Sequence, residues 1–185
     1  PDFDIRKIDE NDPEVYKMLG NGGTAGVFQF ESAGITSVLS RLQPKSLEDL
    51  TAALALYRPG PMSSIPTYIE NRHKKPEEIV YKHPLLKDIL SVTYGCIVYQ
   101  EQVMQICRVV GGYSYGRADL VRRAMSKKKT DVMERERKNF VYGNQEEGVP
   151  GCISNGISEQ VANKIFDEMI DFAKYAFNKS HAAAY

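Results

Sequence analysis

The chain has 185 residues, of which 42% are hydrophobic and 26% charged, a composition typical of a water-soluble globular protein with a real core. Its 24 basic and 24 acidic residues balance, which excludes a global field that attracts nucleic acid, so any polyanion site must be a local patch. The three cysteines, Cys96, Cys107 and Cys152, fit neither a zinc spacing nor a disulfide framework, and they favour a reducing compartment.

Helices joined by glycine and proline turns are predicted along most of the chain, so we expect a mainly α fold with a few short strands. Asp12 and Pro13 open a short helix that is followed by Gly20, because proline suits the first helical position. Segment 25–32, AGVFQFES, is the best candidate for a strand or a buried segment.

The middle of the chain contains the clearest helix boundaries. Ser46 predicts a capped helix over 46–57, and the two prolines of YRPGPM, residues 57–62, end it. Further helices are predicted after Pro66 and after Pro84, and GCIVY reads as a short β-like run.

The second half contains four more predicted helices. The first is QEQVMQICRVV, which the glycine pair after it stops. Ser114, Thr130 and Ser158 are predicted to cap the next three. The last of these has an apolar stripe of Val161, Ile165, Met169, Phe172 and Ala176.

Segment 143–157 is glycine-rich and is the best internal boundary. It divides the chain into a first part, 1–142, and a last part, 158–185, that holds the long helix and the start of another. The chain begins at Pro1 and stops within the alanine run after Ser180, so we expect it to be a piece of a longer polypeptide.

A basic segment from Arg117 to Lys138 holds nine basic and four acidic residues. A solvated helix with cations near its C-terminus would account for it. A phosphate site would account for it equally, since arginine presents a fork matched to phosphate oxygens and lysine adds mobile charge. The candidate residues are Arg122, Arg123, Lys127 and Lys128.

Two further cationic groups are candidates for the same site. In FNKSH, Lys179 and His181 flank Ser180, which is predicted to cap a helix whose free N–H groups favour an anion. Arg58 precedes a rigid turn that can hold its guanidinium in a fixed direction. In each case an exposed residue at a helix end remains the alternative.

Asp2 and Asp4 in PDFDI would share one face of a strand, where paired carboxylates can bind Mg²⁺. No third carboxylate accompanies them at this end of the chain. His73 and His83 are interpreted as surface or cap residues.

Five blocks, in the same order and at plausible spacing, resemble the alpha subunit of bacterial DNA polymerase III, the C-family replicative DNA polymerase. They are TAGVFQFES, ALYRPGPM, TYGCIVYQEQVMQI, GYSYGRADLVRRAMSKKK and FNKSHAAAY, and the resemblance covers about residues 10 to 185. The last block looks more like the DnaE-type subunit. Ser126 and Ala176 stand where family members usually have glycine.

The resemblance implies a helical fingers domain of a DNA-directed DNA polymerase. In the family, a PDFDID-like motif of the palm holds the catalytic metals, but it lies far upstream of the GVFQ block, so Asp2 and Asp4 are not expected to be that motif. The palm would hold Mg²⁺ outside this chain, and we expect neither a catalytic residue nor a metal ligand here.

The resemblance also assigns the phosphate site to the incoming dNTP. Its β- and γ-phosphates would meet Arg122, Arg123, Lys127 and Lys128, with Lys179 and His181 approaching the same triphosphate, Tyr175 bordering the base or sugar, and Arg58 as a weaker candidate. The implied partners are primed template DNA, the rest of the subunit, and the sliding clamp, proofreading exonuclease and clamp loader, in the cytoplasm and without a membrane.

A different class of function stays open on the basic segment alone. A non-catalytic helical module that binds nucleic-acid backbone would need the same residues. It would prefer long DNA with a steep salt dependence, whereas a nucleotide site would respond to free dNTP. A phosphate-recycling enzyme is disfavoured, because the sequence offers no pair of nucleophile and base.

Overall fold

The computed structural model describes residues 4–127, 130–173 and 177–185. Within these ranges the chain is mainly α-helical, which confirms the predicted fold class. The helices are α1 Pro13–Gly20, α2 Ala33–Leu42, α3 Leu47–Leu56, α4 Ile65–Arg72, α5 Lys87–Leu90, α6 Gln100–Val109, α7 Tyr115–Ser126, α8 Thr130–Tyr142, α9 Glu159–Ala173 and α10 Lys179–Ala184. Single 3₁₀ turns lie between several of them, as at Pro61–Ser64 and Ser91–Thr93.

Helix starts follow the predicted capping chemistry. Three serine hydroxyls each accept a hydrogen bond from the backbone N–H three residues on, which satisfies a donor that the helix leaves free. These bonds join Ser46 to Asp49, Ser114 to Arg117 and Ser158 to Val161, at 3.2, 3.3 and 3.4 Å. Asp12 caps α1 in the same way through the N–H of Glu14.

Segment 25–32 is a series of turns whose residues are mostly exposed, so the prediction of a strand or a buried segment is wrong. Gly26 and Gln29 have φ of 75° and 70°, in the left-handed region that breaks an extended chain. Phe30 is buried whereas Phe28 is 62% exposed. In the described ranges, β pairing is limited to isolated bridges, Tyr99 with Phe177 and Asn144 with Val149.

Four predicted boundaries shift. Helix α10 begins at Lys179 with Asn178 as its cap, in place of Ser180, because the Asn178 side chain accepts the N–H of His181 at 3.0 Å. Gly20 is the last residue of α1, and α8 includes Thr130. After His83 the chain forms a 3₁₀ turn and then only the four-residue α5.

Two helices, α3 and α6, each contact several of the others. Helix α3 contacts α2 and α10, and α6 contacts α5, α7 and α9. Helix α8 closes the far side by packing on α7 and α9. As a result, the starts of α6 and α10 lie close to the helix that carries the paired arginines.

One hydrophobic core includes residues from Leu19 to Ala182. Three members of the predicted stripe on α9, Ile165, Met169 and Phe172, are buried in it. Val161 is half-buried, and Ala176 lies outside the described residues. The core receives side chains from both sides of segment 143–157, and the division of the chain there stays a prediction.

A buried carboxylate, Asp49 of α3, joins three elements. It is 1% exposed and accepts hydrogen bonds from the Nε of Arg72 on α4 at 3.1 and 3.2 Å, from the hydroxyl of Tyr94 at 3.0 Å and from the backbone N–H of Lys45 at 2.9 Å. Such a charge is tolerated inside a protein only when it is paired and hydrogen-bonded.

All three cysteines are free and buried. Burial raises the pKa of the Cys107 and Cys152 thiols to about 12. A thiol whose pKa is higher in the folded than in the unfolded chain stabilises the fold below the unfolded value, and this contribution is lost as the pH rises toward the folded value.

We therefore expect the free energy of unfolding to be level up to about pH 7.5 and to fall from about pH 8.5, the pKa of an unfolded thiol, toward the folded value of about 12. Urea unfolding at a series of pH values measures this. A Cys107→Ala variant should lose stability at every pH but show a shallower alkaline decline. An equally steep decline in that variant would contradict a contribution from this thiol.

Candidate functional site

Two adjacent arginines on α7 share one carboxylate, Asp119, a turn earlier on the same helix. Arg122 donates from Nε and Nη2 to Oδ1 of Asp119 at 3.0 and 2.8 Å, and Arg123 Nε lies 2.7 Å from Oδ2. These contacts, with the hydrogen bonds from Arg122 as the largest cause, lower the pKa of Asp119 from its usual value. Asp119 therefore fixes the direction of both guanidinium groups.

Arg122 also reaches α6, because its Nη1 donates to the side-chain oxygen of Gln100 at 3.1 Å. The backbone N–H of Gln100 in turn donates to the carbonyl oxygen of Phe177 at 2.9 Å. One residue thus connects the arginine helix to the segment that leads into α10. Around it lies a recess of about 290 Å³ whose lining includes Arg122, Asp119, Gln100, Glu101, Tyr115 and Asn178.

The start of α10 already holds an anionic group of the protein. The Glu101 carboxylate accepts a hydrogen bond from the Asn178 side chain at 2.7 Å and from the backbone N–H of Lys179 at 3.3 Å. The end of a helix with free N–H groups attracts negative charge, and Glu101 supplies it in this structure. An incoming anion would have to displace Glu101 or bind beside it.

Lys179 points away from the recess toward α3. Its Nζ lies 2.8 Å from a carboxylate oxygen of Glu48 and 5.5 Å from the centre of the Tyr99 ring. The lysine side chain is 38% exposed and that of Glu48 is 51% exposed, so this ion pair is solvated and weak. Because this ion pair contributes little free energy, a more highly charged anion could replace Glu48 at Lys179.

Arg58 and His181 both contact aromatic rings at or next to α10. The Arg58 guanidinium carbon lies 4.6 Å above the centre of the Phe177 ring. The His181 ring is 5.2 Å from that of Phe177 and 4.7 Å from that of Tyr185, and Tyr185 stacks on Phe28 at 5.3 Å. Both predicted residues are exposed, so their polar atoms can reach a ligand.

The remaining predicted cations lie elsewhere around α7. Arg123 is 63% exposed, and it lines a groove between α7 and α8 together with Lys127. Lys128 and Tyr175 lie outside the described residues. The structure thus brings Arg122 to the start of α10, while Arg123 and Lys127 border the neighbouring groove.

Metal ligands are not brought together in the part of the chain that the structure describes, where no three His, Cys, Asp or Glu side chains could hold an ion. Asp4 forms hydrogen bonds with the Arg6 guanidinium at 2.9 and 3.0 Å, and Asp2 lies outside the described residues. His83 caps the 3₁₀ turn Pro84–Leu86 by accepting the N–H of Leu85, and His73 is exposed and contacts a backbone carbonyl, in line with the prediction of surface or cap residues. Asp4, His73 and His83 therefore do not come together as a magnesium centre.

Sequence reasoning missed the residues that hold the cations in place. Asp119 is three and four residues before the two arginines, a spacing at which helical side chains meet, so local pattern could have identified it. Gln100, Glu101 and Asn178 come together only through folding, and their residue types alone carry no such signal.

Within the described ranges, no helix is both long and apolar enough to cross a membrane.

Comparison with known proteins adds evidence of a different kind. Residues 1–148 match the family described as the bacterial DNA polymerase III alpha subunit finger domain. The chain is 49% identical over 183 residues to the DNA polymerase III subunit alpha of Staphylococcus epidermidis, and 48% identical over 185 residues to that of Borreliella burgdorferi. These alignments cover 99% and 100% of this chain but only 16% and 15% of the relatives.

Proposed function

The chain belongs to the finger-domain family of the bacterial DNA polymerase III alpha subunit, and from this premise we propose that it binds the triphosphate of the incoming dNTP during DNA synthesis. The reaction of the whole subunit would be nucleotidyl transfer, in which the primer 3′-oxygen attacks the α-phosphate and pyrophosphate leaves. Template DNA, the sliding clamp, the proofreading exonuclease and the clamp loader would be partners, in the cytoplasm.

The observation that carries this proposal is the junction at Gln100. Arg122 and the FNKSH segment lie far apart in the sequence, yet both bind this one residue. A triphosphate carries several negative oxygens, and a single cation could not compensate them. The junction places the arginine helix beside the segment that carries Lys179 and His181, so side chains of both segments can turn toward such a ligand.

Several of the candidate cations are paired with carboxylates that phosphate oxygens could join or replace. Asp119 holds the guanidinium groups ready, and Glu48 and Glu101 occupy Lys179 and the start of α10. On binding, phosphate oxygens would replace Glu48 at Lys179 and add to Asp119 at Arg123, which is 63% exposed. Lys127, Lys128, Tyr175, His181 and Arg58 complete the proposed set.

Mg²⁺, when bound in the palm of the whole subunit, would stabilise the attacking and leaving oxygens. The described residues of this chain do not fit such a site. Their proposed part is to bind the triphosphate and to hold it in a fixed direction.

Replacing Lys179 with alanine in an alpha subunit that carries this domain should raise the KM for dNTP about tenfold, the value of one modest charge-assisted hydrogen bond. Steady-state primer extension measures it. Lys164→Ala, which removes an exposed lysine of α9, is the matched control and should leave the KM unchanged. Weaker binding of long DNA with an unchanged dNTP KM would instead support the nucleic-acid backbone module.

A further inference from the structure

The FNKSH segment is held to the start of α6 at three consecutive residues. The backbone N–H of Gln100 donates to the carbonyl oxygen of Phe177 at 2.9 Å. The side chain of Asn178 and the backbone N–H of Lys179 then both donate to the carboxylate of Glu101, at 2.7 and 3.3 Å. A backbone contact therefore fixes where the segment begins, and the Glu101 side chain holds the two residues that follow.

The Glu101 carboxylate also determines which way the Asn178 amide points. An ionised carboxylate accepts hydrogen bonds but donates none, so Asn178 must turn its NH₂ group toward it. The amide oxygen is then left to face α10, where it accepts the N–H of His181 at 3.0 Å and caps the helix. Glu101 thus acts on α10 through Asn178, and we call this pair of side chains the Glu101–Asn178 clamp.

Glu101 differs in kind from Glu48, the other carboxylate that contacts this segment. Glu48 is 51% exposed and pairs only weakly with the Lys179 ammonium group, so a phosphate can replace it. Glu101 is half-buried, binds an amide and a backbone N–H, and lies in the first turn of α6, where the helix dipole favours a negative charge. A phosphate that displaced Glu101 would release the amide that caps α10.

We propose that Glu101 is a positioning residue of the triphosphate site. It stays in place when a nucleotide binds, and through Asn178 it fixes the segment from which Lys179 and His181 reach the phosphates. The nucleotide part of this inference rests on the proposed function, whereas the clamp rests on the contacts of Glu101 and Asn178 alone.

Glu101→Ala in an alpha subunit that carries this domain should raise the dNTP KM about fivefold and leave kcat nearly unchanged, because an ordinary hydrogen bond that supports ground-state and transition-state binding equally is lost. Glu101→Gln keeps an acceptor oxygen for Asn178 and should restore most of the wild-type KM. Steady-state primer extension measures both constants. If phosphate instead displaced Glu101, both variants would remove a competing charge, and a lowered KM in the two would overturn the proposal.

Hydrogen exchange of the same subunit without nucleotide tests the clamp by itself. Deuterium uptake over residues 177–185 should be faster in Glu101→Ala than in the wild type or in Glu101→Gln, because the cap at the His181 N–H opens more often. Unchanged uptake would overturn the clamp. Glu14→Ala, which removes an exposed carboxylate from the first turn of α1, is the matched control and should change neither uptake nor KM.

The Lys179→Ala variant separates failure of this inference from failure of the proposed function. If Lys179→Ala raises the dNTP KM but Glu101→Ala does not, the positioning role of Glu101 is wrong. If neither variant raises it, the triphosphate proposal fails and the positioning role fails with it, while the exchange result still decides whether the clamp exists.

Discussion

Arg122→Ala should lower kcat/KM for the incoming dNTP about ten- to 150-fold in an alpha subunit that carries this domain. The range corresponds to the roughly 1.5–3 kcal/mol that a hydrogen bond to a charged group contributes. Arg122 is expected to have the largest effect because its guanidinium lies in the recess, fixed by Asp119 and Gln100, and loses little freedom when it binds a phosphate. Steady-state primer extension with varied dNTP gives the ratio.

Its controls separate charge from structure. Arg122→Lys keeps the charge but loses the planar fork, so it should recover only part of the activity. The melting temperatures of the variants should be compared as well, because the arginine also joins α7 to α6. A fall in affinity for primed DNA with an unchanged dNTP KM would refute a role at the triphosphate.

Asp49→Ala should lower the free energy of unfolding by about 3–5 kcal/mol, since it leaves the Arg72 guanidinium buried without its counter-ion. Arg72 is only 13% exposed, and it has the Tyr94 ring beside it at 5.5 Å. The loss is a large share of the roughly 5–15 kcal/mol that stabilises a typical protein. Chemical denaturation followed by circular dichroism measures it.

A second ion pair of the same helix region serves as the comparison. Glu70 and Lys74 on α4 and just after it lie 2.6 Å apart but are 67% and 36% exposed. Because exposed pairs contribute at most about 1 kcal/mol, Glu70→Ala should have a small effect. Equal losses in the two variants would show that burial of Asp49 is not what makes it important.

Local chemistry made much of the fold predictable. Ser46, Ser114 and Ser158 cap helices because the serine hydroxyl lies next to the free backbone N–H three residues later at a helix start. This local contact does not depend on tertiary packing. The choice of Asn178 over Ser180 at α10 was less predictable, since both side chains suit a cap. Asn178 is additionally bound by Glu101, 77 residues away in the chain, and sequence alone does not reveal that partner.

Segment 25–32 shows how a short apolar pattern misleads. Its alternating residues are compatible with a strand, but a strand needs a neighbour, and in the described ranges the chain offers none beyond isolated bridges. The left-handed Gln29 instead turns the chain so that Phe30 enters the core and Phe28 stays outside.

The candidate site was predictable in its residue types but not in its arrangement. The clustering of cations pointed to phosphate, and the resemblance named which phosphate. Arg122 lies beside Gln100, and Arg123 and Lys127 line the groove between α7 and α8; these positions depend on how α6, α7 and α8 pack. The proposed assignment of these side chains to one triphosphate stays a prediction.

The long sequence separation between α6 and α10 also governs when the site can assemble during synthesis. Glu101 leaves the ribosome well before Asn178, its partner 77 residues later, and chains fold as they emerge. Until that later segment appears, the start of α6 lacks its contacts with Phe177, Asn178 and Lys179. A nascent chain can therefore bury much of its core before the FNKSH segment is bound to Gln100 beside Arg122, so the proposed nucleotide site should form late in translation.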